Sequence, residues 1–141
     1  MYKVSDLTKE LGLTEASPSP RKRRPSSEKE HRVQCACVRW FRCQYPAMRH
    51  NLFAVPNGGA RNKIIAAKLK AEGVLAGVAD LILLRRNASY GGLLIEMKTS
   101  KGRQTDFQKE WMEKITNDGY KYVVCRSLED FMKEVNEYLS S

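Results

Sequence analysis

Two charged side chains interrupt the otherwise apolar run Leu93-Leu94-Ile95-Glu96-Met97-Lys98. Successive side chains of a strand point to opposite faces, so Glu96 and Lys98 project on the same side. A carboxylate and an ammonium among apolar neighbours are costly unless paired or bound to a metal; a surface ion pair near a strand end is the plainer alternative. A second apolar run, Val78–Leu84, carries a single charge, Asp80. An isolated Asp there needs a strong partner, or it accepts backbone N–H groups where the strand begins. The short connection to Leu93 predicts antiparallel pairing, which brings Asp80 and Glu96 together near one end of a hairpin. Two such carboxylates form a hard-oxygen site suited to Mg²⁺, a cation that keeps waters and binds substrate phosphate. Lys98 adds an ammonium able to orient a nucleophile or stabilise developing phosphorane charge, so the set has the parts that phosphodiester hydrolysis requires. The two histidines, His31 and His50, are too few and too poorly placed for a competing triad.

These residues need a sheet to hold them. Leu52–Val55 reads as a short strand, Pro56-Asn57-Gly58-Gly59 as a turn, and Asn62–Glu72 as a helix ending at Gly73. Val78–Leu84 and Leu93–Lys98 have the continuous apolar character of buried strands, joined by the polar segment Arg85–Gly92. Ser27-x-x-Glu30 has capping-box form and opens a helix with Val33, Cys37, Trp40 and Phe41 at helical spacing, ending before Pro46. Thr105-x-x-Gln108 caps a further helix towards Asn117, Tyr120–Cys125 is a strand, and Ser127 caps a last helix to Leu139. The order helix, strand, helix, strand, strand, helix, strand, helix predicts an α/β domain with a mixed sheet flanked by helices.

The length of 141 residues suits one domain, 28–141, behind a basic N-terminal tail, 1–27. The tail offers a short helix at Ser5–Leu11 and a Ser/Pro/Arg tract, Ser17–Pro25, that reads as a linker. The tract fits a nuclear-import patch and a DNA-contacting arm equally. The net charge is +9, and removing residues 1–27 leaves the remainder basic as well. Such an excess draws polyanions, nucleic acid foremost. No run approaches the length of a membrane span and no signal-peptide core is present, so an intracellular location is expected. Four cysteines, at 35, 37, 43 and 125, form no Cys-x-x-Cys pair, which predicts free thiols and no zinc site.

Five stretches together resemble the VRR-NUC family of the PD-(D/E)XK nucleases. They are Glu30-His31-Arg32-Val33-Gln34, Val55–Gly59, Gly73–Leu81, Ile95-Glu96-Met97-Lys98 and Gln104–Gln108, between Glu28 and Tyr138. Each is weak alone; their order and spacing are specific. The resemblance implies a restriction-endonuclease-like core in which Asp80, Glu96 and the Met97 carbonyl bind Mg²⁺ or Mn²⁺ and Lys98 is catalytic. Glu30 matches a first-helix glutamate that reaches the metal, with Gln34 beside it. Gln108 matches a glutamine that positions water or phosphate. The superfamily's proline is missing, since Ala79 precedes Asp80. Glu30 and Gln108 each have a second reading, as the N3 partner in a capping box. Asn57, Arg61, Lys63, Lys101 and Arg103 lie near the motifs and are candidate DNA contacts, testable as a cluster at the cleft. Trp40, Phe41 and Trp111 read as packing residues. The activity implied is metal-dependent endonucleolytic cleavage of DNA, branched DNA such as Holliday junctions first, by a homodimer. Restriction-like or flap cleavage is the neighbouring alternative, and a non-catalytic DNA-binding module the contrasting one.

Overall fold

Every position of Leu93–Met97 is buried, which makes this segment the axis of the fold in a computed structural model that describes residues 25–56 and 62–141. In chain order the elements are α1 (Pro25–Gln44), a 3-10 turn (Pro46–Met48), β1 (Leu52–Ala54), α2 (Lys63–Ala71) and β2 (Leu81–Leu83). They continue with β3 (Leu93–Met97), α3 (Asp106–Asn117), β4 (Lys121–Cys125) and α4 (Leu128–Ser140). The four strands form one mixed sheet in the order β1-β2-β3-β4. The first two pairings are antiparallel, with Leu81 opposite Ile95, and β3 pairs with β4 in parallel, Ile95 opposite Val123. A parallel neighbour requires a crossover connection, and α3 supplies it.

Alternation along the strands sorts the two faces. Leu81, Leu83, Leu93, Ile95 and Met97 join one core cluster with Cys37 and Phe41 of α1 and with Phe131, Val135 and Tyr138 of α4. Burying side chains the size of Phe131 and Val135 contributes about 1.5–3 kcal/mol each. Trp40 meets Phe131 and Tyr45 edge-on, and Trp111 meets Tyr122 in the same way, so the tryptophans pack as expected. Leu94, Glu96 and Lys98 belong to the opposite face, beneath α3.

Three helix starts and stops follow the sequence closely. Asn62 caps α2 through Ile65 N–H, Thr105 and Gln108 close a full capping box on α3, and Ser127 caps α4 through Asp130 N–H. Gly73, just past α2, takes a φ of +101, the left-handed conformation a helix stop needs.

Two expectations are corrected. Helix α1 opens at Pro25, so Ser27 lies inside the first turn and is not the cap. Proline suits that turn because its missing N–H would have had no helical partner. Strand β2 is confined to Leu81–Leu83 and does not reach back to Val78 or forward to Leu84, which is exposed. The reason lies in Asp80. Lys98 N–H turns towards β4 and bonds the Cys125 carbonyl, so Met97 N–H faces β2. The Asp80 carboxylate takes that amide at 2.7 Å, in place of the backbone carbonyl that would extend the ladder. The Ser5–Leu11 helix and the tract from Ser17 to Arg24 lie outside the described residues, as do Asn57, Gly58, Gly59 and Arg61. Among the described residues no helix is long and apolar enough to cross a membrane.

Candidate active site

The register that pairs Leu81 with Ile95 sets Asp80 opposite Glu96 at the end of the β2–β3 hairpin. Glu96 is 2% exposed and is the one charged residue among those fully buried in the described structure. Its Oε1 accepts from Gln108 Nε2 at 2.7 Å and stands 3.5 Å from Lys98 Nζ. Its Oε2 takes a longer contact, 3.4 Å, from the Tyr122 hydroxyl. Burial first, and then the Asp80 carboxylate, pushes Glu96 up to about 8, while Lys98 pulls the other way. Burial, and next the Glu96 charge, also hold the Tyr122 phenol above its ordinary range, which keeps it a neutral donor. Glu96 and Lys98 share a face as strand alternation predicted; Glu96 is buried and the Lys98 side chain is 14% exposed, which makes the pair half-buried and not a fully exposed one.

Gln108 is the capping-box partner that one of its readings makes it, and it also reaches the buried carboxylate. Its Oε1 accepts the Thr105 N–H at 2.8 Å to complete the cap, and its Nε2 reaches Glu96. The first turn of α3 is thereby fixed to the carboxylate. Asp80 follows the plainer of the two alternatives open to it while facing the site. It accepts a backbone N–H through Oδ2, and it stands beside Glu96 in a cavity of about 400 Å³ that Glu30, Met97, Lys98 and Gln108 also line.

Glu30 comes from the first turns of α1, whose stripe of Gln34, Cys37 and Phe41 runs from half-buried to fully buried. Its Oε1 accepts from Thr99 N–H at 3.2 Å, so the side chain is turned to the end of β3 and away from the helix start. A second, larger cleft of about 690 Å³ shares Glu30 and Asp80 and passes Gln34. Lys63, Lys101 and Arg103 are exposed, and none of them lines either cavity.

Two contributors escaped the sequence reading. Arg126 Nη1 donates to the carbonyls of Thr99 and Gly102 at 2.7 and 2.6 Å. With Glu30 on the Thr99 amide, it grips the segment after Lys98 from both sides. Tyr122 reaches Glu96 from β4, one strand over, and Gln104 contacts its hydroxyl at 3.4 Å. Strand alternation in Tyr120–Cys125 could have placed Tyr122 on the Glu96 face; nothing local marks Arg126, whose partners are more than twenty residues away.

Among the described residues no three or more His, Cys, Asp or Glu side chains form a ready metal cage. The donor chemistry still fits a hard cation that needs little from protein. Mg²⁺ takes one or two carboxylates and completes its shell with water and phosphate. Asp80 and Glu96 supply two carboxylates on one cavity wall, and their mutual repulsion is what a divalent cation would relieve. His31 and Cys35 touch at 3.6 Å but gather no further ligand into a metal-binding group among the described residues.

A search of curated proteins returned no match. Among solved structures, one described as a "VRR_NUC domain protein" superposes with a TM-score of 0.69 at 29% identity, covering 79% of this chain and 88% of that chain. The family model of the VRR-NUC domain, a nuclease-type domain, matches residues 17–129. With most of its length matched and the PD-(D/E)XK-like α/β fold in common, the chain belongs to the VRR-NUC family.

Proposed function

We propose that this chain is a Mg²⁺- or Mn²⁺-dependent endodeoxyribonuclease whose centre is Asp80, Glu96, Lys98 and Gln108. The observation that carries the reading is the buried Glu96, held by Gln108 and Lys98 and facing a cavity it shares with Asp80. Asp80 and Glu96, the Met97 carbonyl and Glu30 would hold the cation. A divalent cation bound there supplies Lewis acidity towards phosphate and water.

The chain's own groups do the remainder. Met97 N–H engages Asp80 Oδ2 and holds that carboxylate against the end of β3. Thr99 N–H engages Glu30 Oε1 in the same manner. Gln108 fixes the Glu96 carboxylate, so the site is formed before substrate arrives and loses little to reorganisation. The Lys98 ammonium is only slightly exposed and directed into the cavity, where it orients the attacking water and offsets charge developing on the phosphate.

Substrate choice rests on analogy within the family: branched DNA, four-way junctions first, cut by a homodimer. The test is a panel of labelled junctions, flaps, duplex and single strands with Mg²⁺ or Mn²⁺. The wild type should cut at least one branched DNA, and Asp80→Ala and Glu96→Ala should abolish cutting and Mn²⁺ binding by calorimetry together. A wild type that binds all of these DNAs and cuts none of them is a DNA-binding module instead.

A further inference from the structure

The larger cleft lies between α1, from Glu30 to Cys43, and the end of β1, where Val55 N–H bonds the Asp80 carbonyl; it shares Glu30 and Asp80 with the site cavity. Its helical wall is one stripe, His31, Cys35, the neighbours Val38 and Arg39, and Arg42, each step along it three or four residues. Arg39 and Arg42 are exposed, and among the described residues neither takes part in an ion pair. A guanidinium fork matches phosphate oxygens in shape and charge. At a rise of 1.5 Å per residue the two arginines stand about 13 and 18 Å beyond Glu30 along the helix. Phosphates they hold are therefore separate from one held beside Glu30.

The floor between these cations and β1 is apolar, formed by Val38, Ala54 and Val55. Duplex DNA keeps its bases stacked inside and presents phosphate to such a surface, which gains nothing from the contact. An unpaired strand presents base faces and sugars; single-strand grooves combine cations with flat aromatic surfaces for the bases, and in this cleft the aliphatic Val38 and Val55 supply the apolar surface instead. We infer that the α1 cleft holds an unpaired stretch of the DNA strand, with phosphates on Arg39 and Arg42 and bases over Val38 and Val55. The inference deepens the nuclease reading and rests on it for the identity of the strand. A flap offers such a stretch ready-made, and a four-way junction offers it where pairs open at the branch point.

The test is fluorescence-anisotropy binding of labelled oligo-dT and of a blunt duplex, in metal-free buffer over a salt series. Wild type is compared with Arg39→Ala/Arg42→Ala and with Arg39→Lys/Arg42→Lys, and melting curves establish that all three fold. The alanine pair should weaken oligo-dT binding by about tenfold or more and lower the salt slope by about 1.4, the share of two single-strand phosphates. The lysine pair should retain most of the affinity, and duplex binding should change little. Absent oligo-dT binding by the wild type, unchanged binding by the alanine pair, or equal losses on duplex and single strand would each overturn the inference. The two readings fail separately. A protein that cuts no DNA but loses oligo-dT binding with the arginines keeps the cleft and loses the nuclease. One that cuts while the arginines prove irrelevant to oligo-dT keeps the nuclease and loses the cleft.

Discussion

At the scale of single residues, Glu96 and Gln108 carry the site. Glu96 is held up to about 8 by burial and by Asp80. The folded protein therefore keeps a proton that the unfolded chain, titrating near 4.5, has released. The stability this gives is complete at acid pH and is lost as pH rises through the folded value. In metal-free buffer the melting temperature should fall from about pH 5 to about pH 9, and Glu96→Gln should flatten that decline. A wild-type profile already flat over that window would contradict the environment described for Glu96. Gln108 permits a sharper separation, because its two bonds serve different ends. Gln108→Ala should cost about 1–2 kcal/mol of stability, read by denaturant titration, as cap and buried bond are both lost. Gln108→Glu keeps a side chain fit for the capping box but sets a carboxylate against Glu96. Near-normal helix content with severely reduced cleavage is expected of it.

At the scale of elements, the hairpin β2–β3 and the first turn of α3 assemble the site, and their contact depends on Gly77. Its φ is +89, and a Cβ there would stand 2.6 Å from the Phe107 carbonyl carbon and 2.9 Å from Gln108 N. Gly77→Ala should cost more than about 2 kcal/mol and also depress cleavage, since it displaces Gln108 from Glu96. Gly73→Ala has a similar φ but open space around its Cβ, so it should cost about 1 kcal/mol and leave cleavage intact. Paired denaturation and cleavage assays compare the two. Much of this level was readable in advance. Caps at Asn62, Thr105 and Ser127 are local chemistry, and the apolar runs of β2 and β3 fix their burial and pairing. The early end of β2 was not readable, because the Met97 amide goes to a side chain and not to the ladder. The start of α1 was misplaced because a capping pattern at Ser27 competed with a proline two residues earlier. Arg126 was invisible because its partners are set by tertiary folding alone.

At the scale of the whole molecule, two properties are separable. The net charge of +9 favours contact with polyanions wherever the cations lie, whereas the cleavage proposed would depend on one buried constellation. A basic surface serves an enzyme and a binding module equally, so affinity alone cannot distinguish them. Lys98 can, being directed into the cavity and paired with Glu96 while contributing little outer surface. The decisive measurement is single-turnover cleavage of a branched DNA with Mg²⁺, beside gel-shift titration, for wild type, Lys98→Ala and Lys98→Arg. Cleavage should fall by several orders of magnitude in Lys98→Ala with binding nearly unchanged. Lys98→Arg should be severely impaired too, its planar fork being too large for the ammonium's place. A binding loss that accounts for the whole fall in rate, or cleavage by Lys98→Ala at the wild-type rate, would contradict the catalytic centre proposed.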